Sequence, residues 1–169
     1  PRVPFENPRP LSVLGKKRCF PTLTPDGREL YYCGKTHEST SANELDLYVA
    51  WRKSPDEPFV KAKSKRLTAT SGSQSECHPF ISSDGLTLFW SDVGNCWNKG
   101  TGYRPRGLGL GDIWYATREQ RWDANGTPVP FGTPQYVPAP INGPTNDVAV
   151  SLSLNWPKPG AKLYFARYG

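Results

Sequence analysis

Apolar residues in this chain fall in short runs bracketed by glycine, proline, aspartate and serine. Leu30-Tyr31-Tyr32, Leu47-Tyr48-Val49, Leu88-Phe89-Trp90, Ile113-Trp114-Tyr115 and Leu163-Tyr164-Phe165 are of this kind. Aromatic and β-branched runs this short, with Gly and Pro at their flanks, predict buried strands. No window of about 11 residues keeps a 3.6-residue apolar period without a Gly or Pro break, so no long helix is expected. Thr24-Pro25-Asp26-Gly27 and Ser82-Ser83-Asp84-Gly85 each precede such a run and predict tight turns. There Asp bonds its own backbone and Gly accepts a positive φ.

The pattern repeats. CFPTLTPDGRELYYCG, from Cys19 to Gly34, aligns without a gap on CHPFISSDGLTLFWSD, from Cys77 to Asp92. A third copy, VAVSLSLNWPKPGAKLYFA, runs from Val148 to Ala166 with a longer turn. After the first hairpin comes ELDLYVAWR, ending at Arg52, and after the second GDIWYATR, ending at Arg118. A Pro-Phe pair follows each, at Pro58-Phe59 and Pro130-Phe131, and a further pair, Pro4-Phe5, lies ahead of the first hairpin. Each Pro-Phe is read as the opening of a last strand. The expected unit is therefore four short antiparallel strands, used more than once.

Pro79 to Phe89 with Asp112 to Arg118, and Pro21 to Tyr32 with Asp46 to Arg52, resemble the WD-repeat-like β-propeller blades of the TolB type. The third copy departs from that pattern, with Asn155 to Gly160 in place of the short turn. The resemblance implies an all-β chain of four-stranded antiparallel blades. It specifies a blade and no activity. Residues 1–17 are read as the last strand of a preceding blade and a linker. Residues 18–71 form one blade and 76–140 a second, with a long 93–111 loop; 147–169 begin a third. That makes about two and a half to three blades, fewer than the ~4–8 that close a ring. An incomplete or open propeller is expected: a fragment, an open curved sheet, or part of a ring finished by a second copy.

At 169 residues the chain is long enough for one real core. Its apolar runs are too short to span a membrane. Four cysteines allow three pairings. Cys19–Cys33 and Cys77–Cys96, each within one blade, are favoured, with Cys19–Cys77 and four free thiols as alternatives. In a regular hairpin Cys19 and Cys33 fall on opposite faces, so the first pairing requires a bulge. The cysteines predict an extracytoplasmic location, periplasmic or at the cell surface. With no Cys-x-x-Cys and only His37 and His78 as histidines, neither metal nor cofactor is expected.

Net charge is +6, and Lys61, Lys63, Lys65 and Arg66 form a cluster. Read as a strand, that cluster puts three lysines on one face. It is either an outer edge protected against pairing or a surface for an acidic partner such as an anionic glycan. No nucleic-acid motif accompanies the charge.

Alignment of the copies puts Arg18, Glu76 and Asp147 at one position. Cys19, Cys77 and Val148 come next, then Phe20, His78 and Ala149. In propellers ligands meet the chain where the innermost strands begin. Paired carboxylates there are what propeller glycosidases use, so Glu76 and Asp147, with His78 beside them, are candidate catalytic residues. The same residues with Arg18 also make a structural network. The 93–111 loop carries Trp97, Tyr103, Arg104 and Arg106 among glycines, a contact-loop composition. Asn125-Gly126-Thr127 is read as a turn. The chemistry adds up to a non-catalytic scaffold or recognition module for a protein or glycan partner, or a homo-oligomer joined through exposed blade edges. The alternative is a carbohydrate-active enzyme using Glu76 and Asp147.

Overall fold

The computed structural model describes residues 10–11, 14, 18–35, 45–70, 75–93, 107–108 and 110–169. The protein is all-β, as its runs predict, and is built as two sheets. The first is an antiparallel meander of β1 (Arg18–Leu23), β2 (Glu29–Gly34), β3 (Asp46–Trp51) and β4 (Ser64–Arg66). In the second, β5 (Glu76–Ile81), β6 (Thr87–Val93), β7 (Gly111–Thr117) and the short β8 (Gln135–Tyr136) repeat that order. The hairpin of β9 (Asn146–Leu152) and β10 (Leu163–Tyr168) joins the second sheet through one parallel pair, Gly111 with Asn146. Neither sheet closes on itself.

One device makes all three hairpins, and it is local. Thr24 Oγ1 accepts the Glu29 N–H at 3.1 Å and donates to Asp26 Oδ1 at 2.7 Å. Ser82 does the same with Thr87 and Asp84, at 2.9 and 2.5 Å. Ser153 does it with Lys162 and Asn155, at 2.7 and 2.5 Å. The glycine that ends each turn has a positive φ: Gly27 at 68°, Gly85 at 73° and Gly160 at 81°. The hydroxyl thus replaces a missing backbone partner, and the longer third turn leaves the device intact.

Each first strand carries the same bulge. Cys19 faces Cys33 and Thr22 faces Tyr31, leaving Phe20 and Pro21 opposite Tyr32 alone. The register slips likewise between Cys77 and Phe80, and between β9 and β10 around Ala149 and Val150. The first bulge residue is left-handed in each case: Phe20 and His78 at φ 51°, Ala149 at 58°. Non-glycine residues rarely sit there. Three occurrences at aligned positions mark a required bend rather than a local accident.

The units pack face on face. Tyr31, Cys33 and Val49 of the first sheet join Cys77, Ile81, Leu88 and Trp90 of the second in one buried cluster. Phe89 and Ile113, on the opposite face of the second sheet, pack against Val150, Leu152, Leu163 and Phe165 of the last hairpin. The free face of the first sheet, Leu30, Tyr32 and Ala50, is covered by Leu14 and Phe59.

The basic cluster differs from its expectation. Lys61–Lys63 wind into a 3-10 turn and only Lys65 and Arg66 lie on β4, so the alternating lysines do not share a strand face. A 3-10 turn repeats every three residues, whereas a strand repeats every two. Lys63 reaches Glu57 at 3.9 Å, and Arg66 bonds Asp46 at 2.6 Å. Lys65 donates to Pro128 O at 3.3 Å. As the edge of its sheet, β4 fits the edge-protection alternative.

Candidate functional site

The start of each first strand is where the aligned candidates fall. Glu76 and Asp147 are both 0% exposed, and neither faces an open cleft. Asp147 is held at both oxygens: Arg167 Nε donates to Oδ1 at 2.6 Å and the Gly143 N–H to Oδ2 at 2.7 Å. Arg167 also donates to Pro140 O and Ile141 O, so the carboxylate ties its own hairpin to the segment leading into it. Glu76 opens β5 opposite Asp92, and its N–H bonds Leu45 O of the neighbouring unit at 2.9 Å.

Arg18 takes a different course from the one expected. It donates to Leu14 O at 3.0 Å and Lys35 O at 3.1 Å, and lies over the stacked rings of Tyr32 and Tyr48. Gly34, its cross-strand partner, leaves the room, since a Cβ there would collide with the guanidinium. Among the described residues the arginine that pairs with Asp147 is Arg167, and Arg66 holds Asp46.

Phe20 and His78, the first two bulge residues, meet with ring centroids 4.1 Å apart. His78 Nδ1 is buried with no hydrogen-bond partner among the described residues. Burial pulls its imidazole below the ordinary histidine range. The unfolded chain takes up a proton near pH ~6.5 and the folded one resists it, so acid favours unfolding. Stability is therefore expected to fall as the pH drops from about 6.5 toward the lower folded value, and to level off beneath it. Urea unfolding at stepped pH checks this. His78→Asn, which tolerates a left-handed backbone, removes that slope. A slope that persists in the variant assigns it elsewhere.

Cys19 and Cys33 are free thiols with their sulfurs 3.1 Å apart. The bulge is the reason. Continued without interruption, the Leu23–Leu30 register would set Cys19 opposite Gly34; the slip sets it opposite Cys33. Cys77 is fully buried. Its pairing with Cys96 falls outside the described residues, as do Trp97, Tyr103, Arg104 and Arg106.

Two features escaped sequence reasoning. Asn142 is buried and bonds Ile113 N, Ile113 O and Val137 O at 2.7–2.8 Å, which fixes the approach to β9. The other joins the units. Glu29 accepts from Arg118 at 2.8 and 3.0 Å, from Arg121 at 2.8 Å and from Tyr31 at 2.9 Å. Asp26 adds a second contact to Arg121. Partial burial pushes the Asp26 carboxyl up, but hydrogen bonds from Arg121, Thr24 and the Arg28 backbone hold it down at about 2. Both arginines follow β7, so only the pairing of one unit with the next reveals their carboxylate.

A cavity of about 110 Å³ lies between the sheets, lined by Lys65, Arg66, Thr70, Arg118 and Phe131 among others. Its three cations are already engaged, by Pro128 O, Asp46 and Glu29. Among the described residues no cluster of histidine, cysteine or carboxylate is placed to hold a metal. No described helix is long and apolar enough to cross a membrane. No protein-family model matches the chain, and neither does any curated protein or solved structure.

Proposed function

We propose that this chain is a run of β-propeller blades of the TolB-like kind, acting by contact and not by catalysis. In this reading it is a scaffold or recognition module of an extracytoplasmic assembly. The β1–β4 meander and the β5–β8 path are two blades, and the β9–β10 hairpin opens a third. The shared turn hydroxyl and the shared left-handed bulge support that division. Burial and saturation of the Asp147 carboxylate support a structural role at the position where a glycosidase would place its acid or base.

One observation carries the contact function. Tyr31 and Phe89, at equivalent positions in the first two hairpins, are buried by the unit that follows. Their third equivalent, Tyr164, is 58% exposed, and Tyr168 beside it on β10 is also exposed. That face continues the stacking of one unit on the next. The surface that fits it is the one the second sheet and the last hairpin each turn toward the preceding unit. In the first sheet that surface is Leu30, Tyr32 and Tyr48, covered within the chain by Leu14 and Phe59, with Arg18 over the two tyrosine rings. The partner is a second copy of this chain, docked head to tail.

Light scattering across a concentration series tests the reading. A dimer or closed ring that becomes monomeric in Tyr164→Asp is expected, since the new carboxylate would be buried without a partner. A monomer at all concentrations, or an oligomer indifferent to Tyr164→Asp, overturns it. Turnover of any glycoside by the wild-type chain overturns its non-catalytic part.

A further inference from the structure

We infer that Cys19 and Cys33 form a reversible dithiol–disulfide site, oxidised by exchange with a low-molecular-weight disulfide that enters at Cys19. The inference is independent of the docking surface. Its basis is geometric. The two residues are direct cross-strand partners because the bulge at Phe20 and Pro21 takes up one residue of β1. Cross-strand partners have Cα atoms roughly 4.5–5.5 Å apart, within the range that a disulfide spans. The sulfurs stand 3.1 Å apart and need to close by about 1 Å to reach bonding distance. Side-chain rotation suffices, with no change of strand register.

The two sulfurs are not equivalent. Cys19 is half-buried and Cys33 fully buried, so a reagent from solvent meets Cys19 first. The hydrogen bond from Cys33, set against partial burial and helped by the Arg18 charge, keeps the Cys19 thiol below its ordinary range. Cys33 is pushed up, first by that same contact with Cys19 and then by burial. This is the polarity of an attacking and a resolving thiol.

The exchange balances. Cys19 gives up its proton and its thiolate attacks one sulfur of the small disulfide, expelling one thiolate and forming a mixed disulfide. Cys33 then gives up its proton and attacks Cys19 Sγ, expelling the second thiolate. The protein loses two protons and two electrons, and the small disulfide is reduced to two thiols. Consuming Cys19 also removes the leading cause that holds the Cys33 proton.

The product would pin β1 to β2 beside the join between units. Cys33 Sγ accepts the backbone N–H of His78, so the new bond touches the bulge of the second unit as well as that of the first. Oxidation is thus expected to raise the urea midpoint of the whole chain and to slow amide exchange at Cys33 and His78.

The experiment equilibrates the purified chain in buffers of graded oxidised-to-reduced glutathione ratio, followed by non-reducing peptide mapping. The expected result is a Cys19–Cys33 linked peptide, lighter by two hydrogens, that reverts on reduction. In Cys33→Ser the adduct stays at Cys19 as a mixed disulfide with glutathione; Cys19→Ser remains unmodified at Cys33. Free Cys19 and Cys33 in the most oxidising buffer, or Cys19 linked to Cys77 or Cys96, overturns the inference. An adduct at Cys33 in Cys19→Ser overturns the assignment of Cys19 as the entry sulfur. Mapping the unsubstituted chain settles the linkage even if a serine variant fails to fold.

Discussion

Replacing Arg118 by alanine is expected to cost about 3–5 kcal/mol of folding stability, the range for removing one partner of a buried ion pair. The Arg118 side chain is 1% exposed and that of Glu29 0%. Its guanidinium donates to both Glu29 oxygens, to Gly85 O, and to the carbonyls of Arg121 and Val129. Alanine would leave the Glu29 carboxylate deep between two units with Arg121 and Tyr31 as its remaining donors. It would also strip a main-chain carbonyl in the Asp84-Gly85 turn of its donor. Arg118→Lys is expected to recover little, because one ammonium cannot span Glu29 and Gly85 O together. Urea unfolding measures the loss. A cost below about 1 kcal/mol would mean that solvent reaches the pair and that it does not hold the units together.

Arg52 clarifies what Arg118 does. It closes the equivalent strand of the first unit and makes the same bond to the turn, with Nε on Gly27 O at 2.7 Å. Among the described residues Arg52 has no carboxylate; its guanidinium lies over Phe59. Clasping the turn is therefore the device common to both units, and reaching a carboxylate belongs to the arginine with a unit packed beside it. The repeated Arg at the end of DLYVAWR and DIWYATR was legible in the sequence, but its role was not. Glu29 lies far from Arg118 along the chain, and no local spacing rule connects them.

The hairpins were legible for the opposite reason. Turn chemistry is local, so Asp26-Gly27 and Asp84-Gly85 announce themselves, and the apolar runs beyond them can only be strands. Even the divergent third copy keeps its serine hydroxyl in place. The bulges were half legible: alignment put Phe20, His78 and Ala149 together, but a left-handed φ at three unlike residues has no compositional signature. For the same reason a regular hairpin separated Cys19 from Cys33, which the bulge brings face to face. Alignment singled out Asp147 as a candidate catalytic carboxylate, yet its partner Arg167 lies directly opposite on β10, a cross-strand neighbour that the longer turn obscured.

Trp90→Ala is the second large effect, at about 3–5 kcal/mol, the range for truncating a fully buried tryptophan. Trp90 is fully buried in the cluster that joins the first two units, among Cys33, Leu47, Leu88 and Trp114. Its equivalent in the last hairpin is Phe165, only half-buried at the edge of the second cluster. Phe165→Ala is expected to cost roughly 1–2 kcal/mol, since a half-buried ring forfeits only part of its transfer free energy. The contrast follows from stacking: a unit covered on both faces contributes two interfaces, and a unit with one open face contributes one. Native-state hydrogen exchange reads the same gradient without substitution, with β6 amides opening only in global unfolding and β10 amides at lower free energy. Equal costs for Trp90→Ala and Phe165→Ala, with equal protection on β6 and β10, would require both faces of the last hairpin to be covered in solution. In the monomer Tyr164 and Tyr168 are exposed. If the head-to-tail copy proposed above covers them, the gradient flattens as protein concentration rises and persists in Tyr164→Asp.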